Sequence, residues 1–257
     1  SLRPMILGLN GPEQGAGAPD DLLEREHAQR PEEESAPVLA PFAPPELAGW
    51  QTPGEGAVWG YVLSREDDLT AALLGLPIKT RVYDIMKGET RTPEFLARVN
   101  ANGRIPVLQI GEGADARFLP ESNAACWYLA RNSALIPADR FGEADCLRWM
   151  FFEQYNHEPN IATMRFWLRF VGEVNLSPEQ RAQMMAKRVA GCAALALMDR
   201  HLADNAFFCG AAPTLADIAL FAYTHVAEEG GFGLGDFKAV QAWIARMQAL
   251  PGFVPME

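Results

Sequence analysis

The chain has 257 residues, 49% of them apolar, which is enough to bury a sizeable core. Its net charge of −11 and pI near 4.9 argue against nucleic acid or an anionic membrane as partner, because those surfaces require clustered Lys and Arg. Four widely spaced cysteines without a CxxC, the lack of an apolar run of about 18 residues and the lack of a leader-like stretch in the first 30 residues predict neither a metal nor a redox motif, neither a membrane span nor secretion, and a cytoplasmic protein with reduced thiols.

Residues 1–56 hold nine of the nineteen prolines, with GPEQGAGAP, PFAPPELAG and the acidic run Glu32, Glu33, Glu34. Such a composition buries little apolar surface and predicts an irregular or disordered extension, with a short helix possible at DDLLEREHAQ. Two roles fit it: a solvated tail, or an arm docked on a partner subunit or on the active site.

From Ala57 the pattern becomes regular. AVWGYVL reads as a strand, SREDDLTAALLGL as a helix, IKTRVYDI as a second strand and GETRTPEFLARV as a loop with a short helix. RIPVLQI and ADARFL read as a hairpin. Pro106 cannot donate a ladder hydrogen bond, so within an apolar β-run it implies an edge, a bulge or a cis bond. Glu121, Ser122 and Asn123 then open the helix ESNAACWYLARN, whose free amides and positive dipole end favour a carboxylate. The order βαβ, ββ, α over residues 57–132 predicts a thioredoxin-like subdomain.

Pro137 and Gly142 in NSALIPADRFG mark a linker at 133–143, and residues 144–257 read as an all-helical domain. EADCLRWMFFEQYNHEPNIATMRFWLRF reads as one long helix interrupted at Pro159, which leaves the Tyr155 carbonyl unpaired and bends the axis. Tyr155, Glu158, Ala162 and Arg165 fall on one face by their spacing. SPEQRAQMMAKRVAGCAALALMDRHLADN is an amphipathic helix with a Ser-Pro-Glu start. Thr214 and Asp217 form a T-x-x-D capping box before IALFAY, which assigns Asp217 to stability.

The Ile105-Pro106 and Glu121-Ser122 pairs, at this spacing, resemble the glutathione transferase family. In that family the residue before a cis-proline pairs with the cysteinyl backbone of glutathione, and a Glu-Ser pair holds its γ-glutamyl end. The Y-x-H-E-P run at 155–159 and R-F-W at 165–167 are similar to a bacterial subgroup, and the T-x-x-D box recurs in the family's helical domain. The resemblance covers the chain from Ala57 onward. It implies an N-terminal thioredoxin-like subdomain followed by an α-helical bundle, glutathione as co-substrate with no metal, conjugation to a small apolar electrophile, and a homodimer. Ile105, Pro106, Glu121 and Ser122 are then glutathione-binding, with Arg104 and Thr90 near its carboxylates. Tyr155, Glu158, Arg165 and Trp167 are implied for the electrophile pocket or for contacts to the tripeptide.

The thiol-activating position has two candidates. Aligning the strand end selects Ser64, and aligning the LLG at the helix end selects Tyr61; either hydroxyl can donate to a thiolate. Ser64 with Asp67 also forms S-x-x-D, close to a plain capping box. Glu66, Asp67 and Asp68 suit the helix dipole there but repel a bound thiolate. A non-catalytic binding or interaction module of the same fold therefore stands beside the enzyme, as does a glutathione-dependent disulfide reductase or peroxidase.

Overall fold

Parallel pairing of two short strands starts the structure. In this computed structural model, which describes residues 58–61, 65–85 and 87–255, β1 (Val58–Tyr61) lies beside β2 (Ile78–Arg81), with α1 (Arg65–Leu73) as the crossover that a parallel pair requires. The predicted extension at 1–56 and Ser64 fall outside the described residues. β3 (Val107–Ile110) runs antiparallel on the other side of β1, and β4 (Arg117–Pro120) returns antiparallel to β3, so the sheet order is β2-β1-β3-β4. Val107, Leu108 and Gln109 of β3 are buried, whereas the edge strand β2 is largely exposed. With α3 (Ser122–Leu129) closing the unit, the expected thioredoxin-like βαβ-ββα order is met.

β2 is shorter than IKTRVYDI suggests. Val82 is 79% and Ile85 47% exposed, so no apolar face continues past Arg81. The chain turns instead, with the Asp84 carboxylate accepting the Lys87 N–H at 3.1 Å and the Asp84 N–H donating to Glu89 at 2.7 Å. A 3-10 turn at Glu89–Arg91 leads into α2 (Pro93–Arg98), capped by Thr92, whose hydroxyl accepts the Phe95 N–H at 3.2 Å. Phe95 is buried and meets the Tyr83 ring edge-on at 5.2 Å.

The helical half comprises α4 (Arg140–Phe152), α5 (Glu158–Arg165), α6 (Pro178–Asp204), α7 (Leu215–Thr224) and α8 (Lys238–Gln248). α6 opens with a reciprocal capping box: Gln180 N–H donates to Ser177 Oγ at 3.2 Å, and Ser177 N–H donates to Gln180 Oε1 at 2.8 Å. Gly191 is required within α6 by close approach, because a Cβ there would overlap the Phe232 ring. α7 is the buried axis of the domain, with Leu215, Ile218, Leu220 and Phe221 all inside.

The single helix expected over 143–170 runs unbroken but is not uniformly α-helical. α4 and α5 are separated by a π-helical turn at Glu153–His157, closed by the Glu158 N–H donating to the Glu153 carbonyl, and α5 runs into a second π segment at Phe166–Val171. Pro159 sits in the first turn of α5, where its missing N–H costs least, so the wider turn before it absorbs the irregularity. The extra residue rotates everything upstream relative to α5. Tyr155 is consequently 84% exposed, while Arg165 is buried and pairs with Glu229 at 2.7 Å. Glu158, Ala162 and Arg165, all within α5, keep their common face, and Tyr155 alone leaves it.

Candidate functional site

Strand register brings three predicted segments to one end of the sheet. Val107 pairs with Pro120 across the β3–β4 hairpin, so Ile105-Pro106 and Glu121-Ser122 both lie just beyond that pair. Val107 also pairs with Tyr61, so β1 ends there too. The Ile105-Pro106 bond is cis, one of the three outcomes that the sequence allowed. β3 begins one residue later, so Pro106 does not interrupt its ladder.

A short polar loop holds Arg104 and Ile105 in place. Asn100, buried, accepts the Asn102 N–H at 3.0 Å and donates from Nδ2 to the Arg104 carbonyl at 2.9 Å. Arg91 Nη1 donates to the Asn102 carbonyl at 3.0 Å. Gly103, with φ 61°, lies so close to Arg91 and the Thr90 carbonyl that any side chain there would collide. Thr90 is buried behind this loop and supports it from outside the cavity.

At the start of α3, Glu121 has φ 74° and ψ 117°, a backbone conformation rare for a residue with a side chain and costing roughly 1–3 kcal/mol. The first intrahelical bond runs from the Ala125 N–H to the Glu121 carbonyl at 3.0 Å. The amides of Ser122 and Asn123 thus precede the ladder, at the positive end of the helix.

These segments line one cavity of about 140 Å³, together with Glu66, Asn100, Gln154, Glu158 and Tyr223. Of the predicted glutathione-binding residues, Arg104, Ile105, Pro106, Glu121 and Ser122 line it. Glu158 is the one of the four predicted pocket residues that does. Tyr155 faces solvent, Arg165 is held by Glu229, and Trp167 is buried in the core with Lys187 over its ring at 5.5 Å. A larger depression of about 480 Å³ lies over α2, lined by Arg81, Tyr83, Phe95 and Phe118 among others, and includes no predicted site residue.

Acidic groups dominate the inner wall. Burial raises the Glu158 carboxyl above its ordinary range, and the positive charges of Arg104 and Lys187 partly offset this. Behind the cavity, Glu153 is 1% exposed; its Oε2 accepts Asn123 Nδ2 at 3.1 Å and Gln154 Nε2 at 2.8 Å. Burial first, and the nearby Glu66 and Glu158 charges second, push its pKa up to about 8 against the two hydrogen bonds. Asp67, read from the sequence as a first-turn acid that suits the helix dipole, is fully buried and accepts the Cys126 thiol at 3.3 Å.

His157 is also fully buried. Thr224 Oγ1 donates its hydrogen to the Leu220 carbonyl at 2.6 Å, so His157 Nε2, 2.8 Å away, is the donor to that hydroxyl. Burial pushes the imidazole pKa down to about 3, so the ring is a neutral packing element.

Sequence reasoning missed Asn100, Gln154 and Tyr223. Asn100 carried a usable signal, since N-x-N-G before R-I-P is a turn with an Asx side chain to organise it. Tyr223 lay hidden in the apolar run IALFAY, and Gln154 beside the more conspicuous Tyr155.

Residues 68–132 match the family described as glutathione S-transferase, N-terminal domain, and residues 160–251 match glutathione S-transferase, C-terminal domain. A solved glutathione S-transferase from Pseudomonas fluorescens Pf-5 is 40% identical with a TM-score of 0.70, over 77% of this chain and 97% of that one. A second family member from Pseudomonas fluorescens Pf-5, solved with two glutathione bound, is 24% identical with a TM-score of 0.66, over 80% of this chain and 94% of that one, and shows likeness of fold. Among curated proteins, DNA polymerase I of Deinococcus radiodurans is 81% identical over 74 residues, 29% of this chain; the match spans only 8% of the polymerase.

Proposed function

The chain belongs to the glutathione S-transferase family, and on that premise we propose that it binds glutathione in the 140 Å³ cavity and transfers the glutathione thiol to a small apolar electrophile. The observation that carries this reading is the convergence of the cis Ile105-Pro106 peptide, the Glu121-Ser122 helix start and the end of β1 at one end of the sheet. Glutathione would lie along Ile105, its γ-glutamyl carboxylate on the Ser122 hydroxyl and the α3 amides, where the helix dipole favours an anion. The carboxylates of Glu66, Glu121 and Glu158 suit its ammonium group, and Arg104 suits its second carboxylate. The thiol would then reach the segment after Tyr61, with Ser64 or Tyr61 as donor to the thiolate. The electrophile would enter beside Glu158 and Tyr223. A homodimer in the cytoplasm, acting in detoxification, completes this reading.

Calorimetric titration of glutathione into the purified protein tests it. Saturable binding is expected, weaker near neutral pH for S-methylglutathione, which cannot form a thiolate. Ser122→Ala should weaken glutathione binding roughly tenfold, the worth of one hydrogen bond to a charged group. No heat at millimolar glutathione would remove the reading altogether.

Activation is separable from binding. A double variant, Ser64→Ala with Tyr61→Phe, should retain glutathione affinity and lose conjugation of a chromogenic aryl halide. Unchanged turnover would exclude hydroxyl activation by either residue.

A further inference from the structure

One pair of side chains joins the start of α3 to the π turn after α4. Asn123 Nδ2 donates to Glu153 Oε2 at 3.1 Å, and the same oxygen accepts Gln154 Nε2 at 2.8 Å. The second oxygen of each group, Asn123 Oδ1 and Glu153 Oε1, is buried and receives no hydrogen bond from the protein. Two bare acceptors in a dry interior are costly, the more so when one belongs to a carboxylate. A single proton on Glu153 Oε1 is the donor that both oxygens lack. The charged surroundings favour it. Glu66 from α1 and Glu158 from α5 bear on Glu153 with like charge, and Arg104 and Lys187 partly neutralise Glu158. Other charged groups on the helices packed around this turn are engaged elsewhere: Asp67 of α1 with the Cys126 thiol, Asp145 of α4 with Arg148, Arg188 of α6 with the Gly231 carbonyl, and Asp217 of α7 with Phe208, Thr214 and Trp243. Asp68 of α1 is exposed, and His157 on the same turn is neutral.

We propose that Glu153 is kept as the neutral acid, that its Oε1–H donates to Asn123 Oδ1 to close an acid–amide ring, and that this ring is a positioning device for the α3 start that receives glutathione. Its role rests on the glutathione site proposed above. Asn123 follows Ser122, which lines the cavity, and Gln154 lines the same cavity from the π turn. The ring therefore fastens two walls of the site together from behind. Loss of the proton turns a carboxylate oxygen toward the Asn123 carbonyl, which opens the ring. It also places a negative charge behind amides that are to hold an anion. Occupation of the site by the γ-glutamyl carboxylate and ionisation of Glu153 thus oppose one another, each by the same factor.

The test uses the full-length protein carrying 13C at its glutamate carboxyls, with S-methylglutathione as ligand so that no thiol titrates. Carbon NMR of the parent at pH 7 should show a protonated glutamate that ionises near pH 8 and is missing from Glu153→Gln. Glutamine keeps the ring closed at every pH, its amide N–H standing in for the acid O–H. From pH 6.5 to pH 9, S-methylglutathione affinity should therefore fall roughly tenfold more in the parent than in the variant, the effect of one charge near a bound anion. The absence of a protonated glutamate from the parent at pH 7 overturns the proposal whatever the variant does. A signal that survives in Glu153→Gln, or equal pH profiles of binding, overturns it as well. If the signal is present and neither protein binds S-methylglutathione, the ring is supported and the glutathione reading is the part that fails.

Discussion

Replacing Asp217 with alanine should lower the melting temperature by roughly 10 °C. The carboxylate is fully buried and accepts four hydrogen bonds: from the Phe208 N–H at 3.0 Å, the Thr214 N–H at 2.9 Å, the Thr214 hydroxyl at 3.0 Å and the Trp243 indole N–H at 3.0 Å. The capping box inferred from T-x-x-D is thus one half of a larger arrangement, which also fixes the 207–210 segment and α8. Burial pushes the Asp217 pKa up to about 6, so at neutral pH the group is ionised and all four donors serve it. Alanine leaves these donors in a dry interior, each costing about 1–3 kcal/mol before relaxation. With partial relaxation the loss is about 4 kcal/mol, and at roughly 2–4 °C per kcal/mol for a domain of this size the shift is large. Asparagine retains an acceptor oxygen but turns an amide toward the Thr214 donors, so its loss should be intermediate. A circular dichroism melt of the alanine variant within about 1 °C of the parent would sink the assignment.

The second large effect is on pH dependence. Glu153 holds its proton to about pH 8 in the folded protein, against an ordinary value of 4.5. Between those values the native state binds a proton that the unfolded chain has released. Stability therefore falls as pH rises from about 4.5 to 8 and levels off above that. The full span of this one group is on the order of 4 kcal/mol. Glu153→Gln keeps an oxygen for Asn123 and Gln154 and cannot ionise. Urea unfolding at pH 5 should find the two proteins close, and at pH 9 the variant should be the more stable by several kcal/mol. Parallel pH profiles for the two would show that this carboxyl is already ionised at neutral pH. The same measurement bears on the site, because ionised Glu153 would add a second negative charge beside Glu66, at the wall where a thiolate is proposed to form.

Much of the fold was legible because it depends on backbone chemistry. A proline before an apolar run, an acid-serine pair before a helix and a T-x-x-D box each constrain local dihedrals or amides, whatever packs around them. The strand-helix-strand order likewise follows from a change of period. What the sequence concealed depends on burial. Glu66, Asp67 and Glu153 read as ordinary charged residues, and only the packing of α1, α3 and the π turn against one another places them inside. The π turn itself hides in W-M-F-F-E-Q-Y-N-H-E-P. One extra residue per turn leaves no mark in composition, yet it decides that Tyr155 faces water and Glu158 the cavity. Arg91, too, reads as an ordinary surface charge, yet its bond to the Asn102 carbonyl braces the loop that leads to Ile105.

The segment between α3 and α4 separates the sheet-bearing half from the helical half in the order of the chain but not in their interior. Leu69 of α1 and Cys126 and Ala130 of α3 belong to the same apolar core as Trp149, Phe221 and Trp243, and the Leu135 carbonyl accepts the Leu215 N–H at 2.9 Å. The two halves share one core, so the described residues should melt as a single cooperative unit. A cavity placed on such a seam inherits the stiffness of the whole, because widening it means exposing shared core rather than swinging one lobe away from the other.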